Sequence, residues 1–183
     1  MKKKSQNKLN SNLYAIKLFS LLALTLVIFS HPTFTGAAKA QGSRVQATYG
    51  AWQLKCGRAP GSKLEKCAIV QSVTAEDRPN VGLTVIYLKS IDGKRQLLRV
   101  IAPLGVLLPT GLGLKIDGAD VGNVPFLKCG KIGCIAEVAA DKNLVTKLST
   151  GKQAVFIIFP TPEEGLGIPI QLRGFNKGIS GLR

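Results

Sequence analysis

The fold of this chain is decided by residues 81–102, which read VGLTVIYLKSIDGKRQLLRVIA. Residues 81–89 and 95–102 are rich in the β-branched, aromatic and aliphatic side chains that are typical of strands. Asp92-Gly93 lies between the two runs, and both residues tolerate the positive φ that a tight hairpin turn requires. We therefore predict an antiparallel hairpin near the centre of the chain.

Strand patterns also occur on both sides of this hairpin. Trp52, Leu54 and Cys56 alternate with more polar neighbours, which predicts a strand with one buried face. The remaining predicted strands are residues 66–73, 113–116, 124–129, 134–139, 153–159 and 167–172. Many short strands separated by turn residues, such as the second Asp-Gly pair at 117–118, are typical of an antiparallel sandwich or barrel.

A single segment has the pattern of a helix. Residues 141–149 begin with Asp141, which favours the N-cap, and Leu144, Val145 and Leu148 follow at helical spacing. The predicted fold class is therefore all-β, an antiparallel β-sandwich or barrel-like arrangement, with one short helix near residues 141–149.

The first 40 residues have the pattern of a cleaved secretory signal peptide. A lysine-rich start precedes an apolar and hydroxyl run at residues 18–29, and Ala38-Lys39-Ala40 fits the small-x-small site of a signal peptidase. A retained membrane anchor is the alternative, but a helix of twelve residues rises only about 18 Å against a hydrocarbon core of roughly 30 Å. We predict cleavage between Ala40 and Gln41, a single domain at 41–183, and no membrane span in the mature form.

The charge of the chain favours anionic partners. The full sequence carries a formal net charge of +15, and six of its 25 basic residues lie in the first 40 positions, so the mature part retains +9. Such a charge attracts anionic surfaces through long-range, salt-screened forces. The alternative is that these lysines and arginines are simply solvated. Nucleic acid is not an expected partner, because no stretch interleaves basic residues with stacking aromatics.

All four cysteines lie in the predicted mature part. An even number of cysteines in an oxidising compartment implies two disulfides. We favour the pairs Cys56–Cys67 and Cys129–Cys134, because each pair would join neighbouring strands of a hairpin. A four-cysteine zinc site is the alternative, but the spacings lack the usual close ligand pairs.

The residue inventory favours binding over catalysis. His31, the single histidine, lies in the predicted signal, so the mature part lacks the commonest general base and metal ligand. Two acidic doublets, Glu76-Asp77 and Glu163-Glu164, lie in predicted polar turns, where solvated carboxylates are expected. We predict no enzyme and no catalytic, cofactor-binding or metal-binding residue. The uncharged segment 100–114 is either a buried connection, which we favour, or an exposed apolar contact surface.

Several short motifs occur in a specific order along nearly the whole mature chain. They are YGAW at 49–52, VQ at 70–71, PLGV at 103–106, IDG at 116–118 and LRGF at 172–175, interspersed with the four cysteines. In this order they resemble the invasion-associated locus B family of exported alphaproteobacterial proteins. The resemblance implies an exported domain that is linked to host-cell entry in bacteria that parasitise red blood cells. It implies no catalytic or cofactor residues.

Two functions are compatible with this resemblance. The first is an exported factor that promotes entry into host cells, namely erythrocytes, by binding a host-cell surface component that the basic charge predicts to be anionic. The alternative is a periplasmic envelope-maintenance or structural protein with an indirect effect on invasion. The expected location is the periplasm, the cell surface or the medium. The sequence leaves the oligomeric state open.

Overall fold

Seven strands form the larger of two antiparallel sheets in the computed structural model, in the order β1-β2-β3-β4-β5-β9-β8. They are β1 (Arg44–Tyr49), β2 (Trp52–Arg58), β3 (Glu65–Thr74), β4 (Gly82–Lys89), β5 (Gln96–Ala102), β8 (Phe126–Gly130) and β9 (Gly133–Ala139). The structure describes residues 43–58, 61–75, 78, 81–90, 92 and 94–182, which belong to the compact unit Gln41–Arg183. The predicted signal peptide and its cleavage site at Ala40 and Gln41 lie outside the described residues.

A smaller sheet packs against the larger one. Its four strands have the order β11-β10-β6-β7, and they are β6 (Leu112–Ile116), β7 (Ala119–Val124), β10 (Gln153–Ile158) and β11 (Leu166–Gln171). Two helices, α1 (Lys142–Thr150) and α2 (Phe175–Ser180), complete the described elements. The predicted all-β sandwich with a short helix is confirmed.

The core lies between the two sheets and follows from the alternation of side chains along each strand. In β2 the apolar residues Trp52, Leu54 and Cys56 are buried, while the residues between them face outward. Phe156 of β10 and Ile168 of β11 meet this layer from the smaller sheet within one continuous apolar cluster. Period-two burial is the expected result when a strand has one face on the core.

Helix α1 forms at the predicted place. The side chain of Asp141 accepts a hydrogen bond from the backbone N–H of Leu144 at 2.7 Å, which satisfies one of the free donors of the first turn. Leu144 and Leu148 are buried and attach the helix to the core. The helix ends at Gly151, whose N–H donates to the carbonyl of Lys147.

Three elements differ from the sequence-based expectation. Strand β1 is not among the predicted strands, because as an edge strand it buries little and lacks a clear alternation. The predicted strand 124–129 is divided at Pro125 between β7 of the smaller sheet and β8 of the larger sheet. Proline offers no N–H to a ladder, so the chain changes sheets there. The short helix α2, which begins after Gly174, is absent from the predicted elements.

Both disulfides connect residues that lie directly opposite each other on neighbouring strands. Cys56 of β2 is the register partner of Cys67 of β3, and Cys129 of β8 is the partner of Cys134 of β9. Disulfide bonds join these same pairs. They are the two pairs that the hairpin argument favours.

Two side chains of the larger sheet hold the edge of the smaller one. The amide of Gln71 on β3 pairs with the backbone of Gln171 on β11: its Nε2 donates to the carbonyl at 2.8 Å and its Oε1 accepts from the N–H at 3.0 Å. The Nε1 of Trp52 donates to the same carbonyl at 2.9 Å. Gln71 is only 4% exposed, so its side chain is shielded from water and the bonds are partly buried. The Gln71 amide thus forms the pair of hydrogen bonds with Gln171 that a neighbouring strand would otherwise form.

The motifs YGAW and LRGF meet in space. The turn at Gly50 packs against Arg173 and Gly174, and both glycines have positive φ, 61° and 98°. A Cβ atom on Gly174 would lie 1.9 Å from the carbonyl oxygen of Tyr49. Phe175, which follows, contacts the rings of Trp52 and Tyr87 edge-on at 5.2 Å. These motif residues therefore join the two ends of the domain.

Removing each disulfide should destabilise the fold by an amount that follows the length of the closed loop. We expect Cys56→Ser/Cys67→Ser to lower the free energy of unfolding by about 3 kcal/mol, and Cys129→Ser/Cys134→Ser by about 2 kcal/mol, because the second loop is shorter. Urea denaturation of both double variants under oxidising conditions measures this. A larger loss in the second variant would contradict the loop-length argument.

Gly174→Ala should be strongly destabilising, because the new methyl group adds a backbone clash to an unfavourable φ. We expect a loss of about 3 kcal/mol or more in the free energy of unfolding. Gly118→Ala is the matched control: its φ is 82°, but a Cβ there meets nothing within 4 Å. Its expected loss is about 1–2 kcal/mol. Equal losses in the two variants would show that the contact with Tyr49 is unimportant.

Candidate binding surface

The outer face of the larger sheet is apolar in its middle, although it points away from the core. The strand register places Gln53, Val70, Ile86 and Arg99 side by side across β2 to β5. The next row consists of Lys55, Ala68, Leu88 and Leu97. Val70, Ile86, Ala68 and Leu88 are neither fully buried nor fully exposed. Aliphatic side chains therefore form a recessed floor between charged neighbours.

A shallow depression of about 400 Å³ lies over this floor. Its floor consists of Ala68, Val70, Ile86 and Leu88. Its border includes the basic residues Lys55, Arg58, Lys66, Lys89 and Arg99. This volume is within the range of sites that hold small molecules. We call this depression, with its floor and its border, the basic-bordered depression.

The basic residues of the border differ in whether an acidic or polar group contacts their charge. Arg99 forms an ion pair with Glu137 at 2.6 Å, and the Nζ of Lys89 donates to the carbonyl of Leu182 at 3.2 Å. Lys55 and Arg58 have no acidic partner among the described residues, although Glu65 is the cross-strand neighbour of Arg58. The side chains of Lys55 and Arg58 on β2 are therefore border cations without an ion-pair partner in the described part of the chain.

The described carboxylates that the sequence singled out, Glu163 and Glu164, are exposed. Glu164 forms an exposed ion pair with Arg78 at 2.8 Å, and Glu76-Asp77 lies outside the described residues. Groups of three or more His, Cys, Asp or Glu residues that could hold a metal ion do not occur among the described residues.

Two described groups have clearly shifted pKa values, and both lie away from the basic-bordered depression. Burial raises the pKa of Tyr87 to about 12. The hydrogen bond from the Ser90 hydroxyl, followed by the backbone N–H of Lys94, lowers the pKa of the Asp92 carboxyl. Both shifts move away from neutral pH, so neither group becomes a better proton-transfer catalyst there.

The uncharged segment 100–114 combines the two alternatives that its sequence allowed. Its strand residues Val100 and Leu112 are buried, whereas Leu104 and Leu108 in the connecting loop are 59% and 51% exposed. The loop is attached to the smaller sheet by a hydrogen bond of 2.8 Å from the N–H of Leu107 to the carbonyl of Phe159. The favoured buried connection therefore holds for the strand ends and fails for these two leucines.

The basic-bordered depression was not found from the sequence, because its residues come from four strands and meet only through the register. One signal was present. Residues 85–88, VIYL, are apolar without alternation, which is the pattern of a strand that is covered on both faces. In this domain only the inner face of that strand is covered by the second sheet, so the outer aliphatic side chains form the floor.

The sequence comparisons agree with the motif resemblance. Residues 52–183 match the family model described as "Invasion associated locus B (IalB) protein". The chain belongs to this family. It is 27% identical to "Invasion protein B" of Bartonella bacilliformis over 184 residues, which covers 93% of this chain and 95% of the relative. An "Invasion protein B homolog" of Brucella abortus is 24% identical over 164 residues, covering 88% and 93%.

A solved structure has the same fold as this family member. The crystal structure of invasion associated protein B from Bartonella henselae superposes with a TM-score of 0.60 at 24% identity, covering 73% of this chain and 91% of that chain. The family is named for invasion and is not a known enzyme family. The two disulfides of this chain are compatible with an exported protein. None of the helices in the described ranges has the length and apolar character required to cross a bilayer.

Proposed function

We propose that this protein is an exported factor that promotes bacterial entry into host cells, erythrocytes in particular, by binding an anionic component of their surface. The names of its relatives support the link to invasion. The observation that carries the binding role is the pair Lys55 and Arg58, which lie beside an apolar floor without an acidic partner in the described part of the chain.

Binding fits this domain better than catalysis does. The outer face is supported by the sheet ladder and by the Cys56–Cys67 disulfide beneath its basic end, so the cations are held on a rigid base. Rigid placement lowers the entropy that is lost when a partner is bound. Exposed cations also accelerate encounter with an anionic surface, and salt weakens this effect.

Reversing the two unpaired charges should weaken cell binding. We expect Lys55→Glu/Arg58→Glu to reduce binding of the purified protein to erythrocytes by about tenfold at low salt, because four units of charge change at the contact. The difference from wild type should shrink as ionic strength rises. Flow cytometry with a fluorescently labelled protein over a salt series measures both effects.

Lys142→Glu/Lys147→Glu is the matched control for this variant. Both lysines are exposed on α1 and neither lines the basic-bordered depression, yet the net charge changes by the same amount. Their opposite positions along the helix also balance the effects on its dipole. Equal loss of binding in both double variants would reject a specific role for Lys55 and Arg58 and leave only net charge.

Access of protease to intact bacteria separates this proposal from an indirect envelope role. A surface-exposed protein should be digested while a periplasmic control protein survives. If both survive until the outer membrane is permeabilised, and none of the protein is found in the medium, direct host contact is rejected and a periplasmic structural role takes its place.

A further inference from the structure

We propose that the basic-bordered depression binds a single-chain lipid with an anionic head, that is, a fatty-acid-like molecule. This proposal rests on the proposed function only in using the same surface, and it names the chemistry of the ligand. The acyl chain would lie on Ala68, Val70, Ile86 and Leu88, and the head would lie against Lys55 and Arg58.

The depression changes from cationic to apolar along the strands. In the register, Gly57 and Lys66 form one row, Lys55, Ala68 and Leu88 form the next, and Val70 and Ile86 lie in a third. Successive rows on one face of a sheet are about 7 Å apart. A ligand that runs along this direction over β3 and β4 thus meets Arg58 and Lys66 at one end and then an aliphatic floor, which Lys55 flanks on β2 and the ion-paired Arg99 flanks on β5. A cationic end followed by an aliphatic floor matches the polarity of a fatty acid.

The apolar floor is recessed, so its shape suits a ligand that binds in the depression. It does not suit insertion of this face into a membrane. Its four side chains are partly shielded by their neighbours, whereas the large apolar residues that project most, such as Ile132 at 74% and Leu64 at 68% exposure, lie outside the lining of the depression. Insertion of this face into a bilayer would need projecting apolar groups. A separate aliphatic chain that settles into the depression fits the shape better.

A peptide is a poorer occupant of this position. The depression lies on the face of a sheet between β2 and β5, and the backbone groups of β3 and β4 are paired with their neighbours on both sides. A peptide backbone laid across this face would find no ladder to join, and its own polar groups would lose water without compensation. An acyl chain has no such groups.

A second copy of the chain is also disfavoured by charge. Two copies that met through this face would bring Lys55 and Arg58 of one toward the same residues of the other. Each mature chain carries a formal charge of +9, so the contact would join like charges. An anionic head instead compensates the two cations that lack acidic partners among the described residues.

Fluorescence titration with dansyl-labelled undecanoic acid tests the proposal on protein that has been exported and oxidised by an expressing bacterium. We expect saturable binding with blue-shifted emission. The methyl ester of the same probe should bind at least tenfold more weakly, because its head is neutral, and acetate should not compete, because it has no chain. Equal binding of acid and ester, or full competition by acetate, would overturn the proposal.

Two pairs of variants locate the site. Lys55→Glu/Arg58→Glu should weaken acid binding at least tenfold relative to Lys142→Glu/Lys147→Glu. Val70→Thr/Ile86→Thr should weaken it at least fivefold, since threonine keeps the β-branched shape but makes the floor polar. Its matched control is Ile135→Thr/Val155→Thr, which changes the same residue types away from the lining. Thermal unfolding curves confirm that each variant is folded, and unchanged affinity in a folded floor variant would overturn the proposal.

The outcomes distinguish this proposal from the proposed function. If erythrocyte binding depends on Lys55 and Arg58 but the dansyl acid does not bind, the lipid proposal fails and the host-surface role stands. If the acid binds at this site but erythrocyte binding is unaffected by the charge reversal, the lipid proposal stands and the host-surface role fails.

Discussion

The structure depends on one shared hydrogen-bond acceptor, the carbonyl of Gln171 at the end of β11. Trp52 and Gln71, both on the larger sheet, donate to it, and the Gln71 side chain also accepts from the N–H of the same residue. Removing the Gln71 side chain would leave the partly buried N–H of Gln171 without this partner, which costs about 1–3 kcal/mol. These bonds fix the position of the smaller sheet on the larger one, and the ring of Phe175 fills the space beside Trp52 and Tyr87.

These contacts between the two sheets explain the motifs that identify the family. YGAW supplies Trp52 and the turn at Gly50, VQ supplies Gln71, and LRGF supplies Gly174 and Phe175. The IDG motif acts similarly at the start of β10, where Gln153 is the register partner of Gln171. Asp117 has a positive φ of 49°, and its carboxylate accepts from the N–H groups of Lys152 and Gln153. The recognisable sequence therefore describes the fold. Apart from Val70 of the VQ motif, the floor and the basic border of the candidate surface use other residues.

The outer face of the larger sheet is unusual for a sandwich of this size. Such faces are commonly polar, because water covers them. Here the middle of the face is aliphatic on β3 and β4, where Ala68 pairs with Leu88 and Val70 with Ile86. Two cations that lack an acidic partner among the described residues, Lys55 and Arg58, lie on β2. On β5, at the opposite side of this floor, the ion pair with Glu137 neutralises Arg99. The positive charge of this face is therefore unevenly distributed. Solvated lysines scattered over the surface would not produce such a distribution.

The sequence by itself determined most of the strands, the capped helix, the favoured cysteine pairs and the family, since each depends on neighbouring residues or on motifs read in order. Edge strands β1 and β7 escaped it, because exposed strands carry little alternation. Only the tertiary structure decided which residues share the outer face, because Lys55, Ala68 and Leu88 become neighbours through the register of three strands. A period of two says that a side chain leaves the core, but the pairing of the strands decides what it meets there.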